Sequence, residues 1–148
     1  MIQPTSFQEI ASTFLRLDDW EDRYRYIIEL GQALPALTEG EKTDANRILG
    51  CASQVWLVPS AEQREGQISI TFRGGSDAMI VQGLVGVLLA IYSGRSPSEI
   101  ARIDALTLFD KLGLREHLST QRSNGLAAMV KHMRTVGTEH LKHIQVGD

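Results

Sequence analysis

One cysteine, Cys51, stands among 148 residues, so no intrachain disulfide can form. Stability must come from an apolar core. A chain of this length can build one, burying roughly two-thirds of the surface its unfolded form exposes. Charge of one sign is also lacking. The 15 Lys and Arg and 18 Asp and Glu leave a net charge of −3. No basic run with interleaved aromatics is present, so there is no nucleic-acid footprint. The most apolar stretch, AMIVQGLVGVLLAIY from Ala78 to Tyr92, is broken by Gln82. It falls short of the ~20 residues that a membrane span needs and reads as a buried helix. The opening MIQPTSFQEI has neither the basic start nor the apolar run of a secretory signal. With a single free thiol, the expectation is a cytoplasmic protein with neither a membrane nor a nucleic acid as partner.

What is present reads as a single domain, residues 1–148, by length and by the absence of repeats and linkers. TSFQEIASTFLRL carries Ser6 and, three residues on, Glu9, a capping box that opens a first helix. DDWEDRYRYIIELG predicts a second, with Trp20, Tyr24, Ile27 and Leu30 on one face and Gly31 in a left-handed closing position. LTEGEKTDANR is a solvated loop leading to Gly50 and Cys51. SQVWLV and QISITFRG alternate as strands. Pro59 is expected to end the first strand by removing a ladder donor. PSAEQREG is then a hairpin connection longer than two residues. Ser76 or Asp77 can cap the apolar helix that follows, with Gly83 and Gly86 allowing close approach to the sheet. SPSE, with Pro97 at the first helical position, is a further capping box. A short helix closed by Gly113 and a long last helix carrying Leu126, Met129, Met133, Val136 and Leu141 complete the pattern. The fold class is α+β in two layers, a small antiparallel sheet packed against helices.

Cys51 follows a glycine at the edge of a strand, in NRILGCASQVWLV. Gly50 permits a sharp turn that presents the next side chain, and an ionised sulfur there is a nucleophile. A free cysteine is equally able to pack as a small buried hydrophobe. Position and composition leave both readings open. Four histidines, His117, His132, His140 and His143, could serve a thiol hydrolase if one approached the sulfur, but no hydrolase signature surrounds the cysteine. HLKH, His140 to His143, lacks the further ligands a metal requires and reads as an exposed helix end. RGGSDA has neither the dinucleotide fingerprint nor the P-loop lysine and reads as a strand-to-helix turn.

GCASQVWL, WEDRYRYIIELGQALP, GSDAMIVQGLVGVLL, LGLREHLS and QRSNGLAAMV together resemble the SufE family of sulfur-acceptor proteins, in the family's order and over roughly residues 7–135. ALTLFDKLGLREHLS is also similar to the related CsdE branch. The resemblance implies a SufE-like α+β fold with its active cysteine, here Cys51, at a loop tip beside the sheet. It implies that Cys51 takes sulfur from a SufS- or CsdA-like, pyridoxal-phosphate-dependent cysteine desulfurase, holds it as a persulfide and stimulates that enzyme's turnover. The sulfur then passes to a SufBCD-like scaffold for iron–sulfur clusters. Gly50, Gln54, Ser76, Asp77 and Arg122 match family positions at the partner surface or beneath the loop. The pyridoxal phosphate belongs to the donor, so no cofactor or metal of the protein's own is implied, and a homodimer is left possible. The alternative is a non-catalytic interaction module in which Cys51 only packs. The transfer itself follows thiol–disulfide exchange, a thiolate attacking the outer sulfur of a persulfide. A second cysteine would divert the product into a disulfide, so a lone thiol suits the task.

Overall fold

The computed structural model describes residues 6–146. Helix α1 (Phe7–Arg16) opens at Ser6, whose hydroxyl accepts the Glu9 N–H at 3.2 Å. The reciprocal bond is not among the bonds of the described residues, so half of the expected box forms. Helix α2 (Trp20–Gln32) opens at Asp19, which accepts the Asp22 N–H at 2.8 Å. These caps satisfy backbone donors that the helices themselves cannot.

Strands β1 (Val55–Arg64) and β2 (Gln67–Ser76) form an antiparallel ribbon whose register runs from Val55↔Ser76 to Arg64↔Gln67. Two expectations are corrected here. The connection is a tight two-residue turn, Glu65 and Gly66, with φ of 53° and 78°, the positive values that such hairpins require at both central positions. Pro59 does not end β1. It lies opposite Phe72, whose N–H points away from β1 and donates to the Ser93 hydroxyl at 2.9 Å. The missing donor of Pro59 therefore faces the open edge, where a proline costs no ladder bond.

Helix α3 (Met79–Tyr92) lies at the centre, in contact with α2, β2, α1 and α6. Its N-cap position is Ala78, with no side-chain cap, so neither Ser76 nor Asp77 caps it. Ser76 still belongs to β2, and both side chains bond elsewhere. Gly31 lies inside α2 and is buried rather than left-handed. A methyl group there would sit 2.6 Å from the Gly83 nitrogen, and one at Gly83 would sit 2.2 Å from the Ile27 carbonyl oxygen. Gly83 and Gly86 thus bring α3 against α2, not against the sheet. Backbone meets backbone there because neither helix carries a side chain at the crossing.

Helix α4 (Pro97–Arg102) has the complete capping box of Ser96 and Glu99. Helix α5 (Ala105–Lys111) is followed by Gly113, as expected. Helix α6 (Thr120–Val146) buries Leu126, Met129, Val130 and Met133, while Val136 and Leu141 are half-buried. The core draws Ile10 and Phe14 from α1, Ile27 from α2, Leu57, Ile70 and Phe72 from the ribbon and most of α3. Among the described residues this gives six helices and a two-stranded antiparallel sheet, an α+β fold. No helix among them is long and apolar enough to cross a membrane.

Candidate functional site

The segment that carries Cys51 is anchored at both roots. On the incoming side, Ile48 is buried and its N–H donates to the Val55 carbonyl at 2.9 Å, with Arg47 bridged to Trp56. On the outgoing side, the Gln54 N–H donates to the Asp77 carboxylate at 3.0 Å, and the Asp77 N–H returns to the Gln54 carbonyl at 3.3 Å. Between the roots run Leu49, Gly50, Cys51, Ala52 and Ser53. Gly50 takes φ +93°, a conformation that favours glycine and turns the chain sharply before the cysteine. Leu49 is 83% exposed.

Cys51 itself is half-buried and packs against the core. Its thiol donates to the Gly125 carbonyl of α6 at 3.5 Å. An added methyl at Gly125 would lie 3.5 Å from Sγ, an ordinary contact distance, so only a larger side chain would crowd the thiol. The thiol borders a cleft lined by Cys51, Ala52 and Ser53 of the segment, Val81 of α3, and Ser119, Gln121, Arg122, Gly125 and Met129 at the start of α6. The Ser119 hydroxyl accepts the Arg122 N–H at 3.2 Å, ordering that first turn. Burial pushes the thiol above its ordinary value, because the charged form loses hydration there. Burial there disfavours the thiolate, the nucleophilic form of the sulfur.

A family profile described as an Fe-S metabolism associated domain, SufE, matches residues 8–136. The chain belongs to the SufE family. It is 55% identical over 129 residues to an uncharacterized SufE-like protein of Rhizobium etli, covering 87% of each chain. It is 53% identical over 131 residues to an uncharacterized SufE-like protein of Rhizobium meliloti, covering 88% of this chain and 94% of that one. A hypothetical protein from Thermus thermophilus, solved in solution, has the same fold. Its TM-score is 0.68 at 20% identity, over 95% of this chain and 99% of that one. The family ties this SufE-like chain to iron–sulfur metabolism.

Of the positions that the sequence singled out, Cys51 and Arg122 share the cleft. Gly50 shapes the segment, and Gln54 with Asp77 forms its outgoing root. Ser76 stands apart: its hydroxyl accepts the Ala78 N–H at 3.2 Å, and its N–H donates to Gln82 at 2.6 Å. Arg47, near in sequence, is exposed and does not line the cleft. No histidine lines it among the described residues. His117 stacks on Trp20 with ring centroids 3.5 Å apart, and His140 bonds the Val136 carbonyl. The side chain of His143 lies outside the described residues. Among those residues no group of three or more His, Cys, Asp or Glu could hold a metal ion. Sequence reasoning missed Ser53, Ser119, Gln121 and Gly125 as lining residues, and read Met129 only as part of the core. The available signal was Gly125, an isolated glycine inside a helical pattern, which costs helix propensity.

Proposed function

We propose that this protein is a sulfur shuttle. Cys51 accepts sulfane sulfur from the persulfide of a pyridoxal-phosphate-dependent cysteine desulfurase and passes it to an iron–sulfur assembly scaffold in the cytoplasm. One observation carries the reading: the only thiol of a SufE-family chain lies in a cleft at the middle of a five-residue segment tied down at both ends.

The chemistry needs a thiolate in the open and a product under cover. Leaving the cleft rehydrates the sulfur and lowers its pKa toward the ordinary thiol range, which raises the thiolate fraction. The Cys51 thiolate then attacks the outer sulfur of the donor's persulfide. The new S–S bond forms as the old one breaks, and the electron pair leaves on the donor cysteine as its thiolate. No external oxidant or reductant is consumed. The donor is emptied and can turn over again. Back in the cleft, the Cys51 persulfide is kept from reductants and oxidants that would strip or trap it.

The test is intact-mass measurement after incubation with a desulfurase and L-cysteine. Wild type gains the mass of one sulfur atom on Cys51, and Cys51→Ser gains none. A Cys51→Ala variant that stimulates the desulfurase as well as wild type does would sink the shuttle and leave a protein that only binds.

A further inference from the structure

The eight ion pairs among the described residues divide sharply by span. Seven join positions at most five apart, whereas Arg73 and Glu41 are separated by 32 residues. This long-range pair is bidentate, with Arg73 Nε to Glu41 Oε2 at 2.9 Å and Arg73 Nη2 to Oε1 at 3.1 Å. Paired parallel bonds of this kind fix geometry as well as charge. The same guanidinium donates to the Ala36 carbonyl at 3.1 Å.

Glu41 is also the hub of its own turn. Its carboxylate accepts the Thr38 N–H at 2.9 Å, its N–H donates to the Thr38 hydroxyl, and its carbonyl accepts the Asn46 side-chain amide at 2.9 Å. From Asn46 the chain runs through Arg47, bridged to Trp56, to Ile48, bonded to Val55. An unbroken set of contacts thus leads from Arg73 on β2 to a residue three positions before Cys51. The hydrogen bond from Arg73 holds the Glu41 carboxyl down at about 2, so the pair stays ionised at every pH where the protein would be assayed.

We propose that Glu41 and Arg73 are a positioning pair: they latch the incoming root of the Cys51 segment to the sheet and so set how readily the thiol leaves its cleft. The latch regulates the same thiol as the shuttle reading, and its use in sulfur transfer rests on that reading. The retracted thiol sits in a desolvated place held by one weak sulfur bond, so its position depends on the stiffness of the two roots. The outgoing root is braced by Asp77. The incoming root has Ile48 and, behind it, this pair. Release of residues 36–46 from β2 lets the root swing and raises the population with Cys51 outside.

The test needs no partner protein. Alkylation of Cys51 by iodoacetamide is timed for wild type, Glu41→Gln, Arg73→Gln, Arg73→Lys and the swap Glu41→Arg/Arg73→Glu, each across low urea concentrations. Both neutral variants are expected to react about fivefold faster, the scale of one well-formed, partly exposed ion pair. Arg73→Lys, which keeps the charge and loses the fork, should fall between, and the swap should return toward wild type. The rates should stay flat in urea below the unfolding transition, as local opening exposes little surface. Neutral variants that react at the wild-type rate would overturn the latch. So would faster rates that climb steeply with urea, which report global unfolding, or a swap as fast as the single variants. Sulfur loading by a desulfurase is a separate measurement, so its failure would remove the shuttle and leave the alkylation result standing.

Discussion

Cys51 and Gly125 are 74 residues apart in the chain, yet the thiol of one donates to the carbonyl of the other at 3.5 Å. The contact is made to helix backbone at Gly125, where an added methyl would still meet the sulfur only at an ordinary contact distance. The thiol is thereby parked against α6, beside a cleft that Ser119, Gln121 and Arg122 also line. A loop cysteine in open water would need no such berth.

The berth has a pH signature. Burial raises the thiol above its ordinary value of 9.0, so the folded protein holds this proton more tightly than the unfolded chain. Stability from this group is complete below the unfolded value and is lost as pH rises through the folded one. The unfolding free energy of wild type should decline with pH above about 9 more steeply than that of Cys51→Ser, as urea melts at graded pH would read. Alkylation of native Cys51 should likewise keep rising with pH where a small thiol has reached its plateau.

Gly125 should report on the same contact through size. Its added methyl would meet Sγ at 3.5 Å and the Cys51 Cβ at 3.7 Å, ordinary contact distances. Gly125→Ala should therefore leave Cys51 in place and gain up to about 1 kcal/mol from helix propensity. Gly125→Val has no such room and should drive the thiol out. Iodoacetamide should label Gly125→Val several-fold faster than wild type, an order of magnitude consistent with overpacking of about 1–3 kcal/mol. Equal labelling of the two variants would contradict this.

The crossing of α2 and α3 should tolerate nothing larger than hydrogen at Gly83. A methyl group there would lie 2.2 Å from the Ile27 carbonyl oxygen, a backbone atom that cannot step aside without moving the helix. Gly83→Ala should cost about 3 kcal/mol, the upper part of the overpacking range. Urea unfolding would read this as a lower midpoint at unchanged slope.

The hairpin offers the opposite sign. Glu65 holds φ of 53° at the first turn position, ahead of Gly66. Asparagine adopts that conformation more readily than glutamate, and Asn-Gly is the preferred pair for such a turn. Glu65→Asn should raise stability by about 0.5–1 kcal/mol, visible as a higher Tm, and leave sulfur loading of Cys51 unchanged. The turn is solvent-exposed and is not part of the cleft.

Local chemistry is legible along the chain. Ser6, the Ser96–Glu99 box, Pro97 and Gly113 act within three or four residues of where they stand, so their roles follow from spacing. The alternation of Ile68, Ile70 and Phe72 and the long apolar run of α3 announce an α+β core on the same grounds. Cys51 emerges from its motif company, and Arg122 comes with it. Glycines 31 and 83 are visible as glycines, but their task depends on which surface each faces. That surface is another helix, chosen by packing of the whole core. Pro59 cannot be judged from spacing, because whether its missing donor matters depends on which edge of the ribbon it faces. The Arg73–Glu41 pair and the Cys51–Gly125 contact join residues with no periodic or spacing relation. Chain proximity therefore carries caps, turns and amphipathic faces, while the berth of the thiol and the bracing of its segment exist only once distant backbone segments have closed on one another.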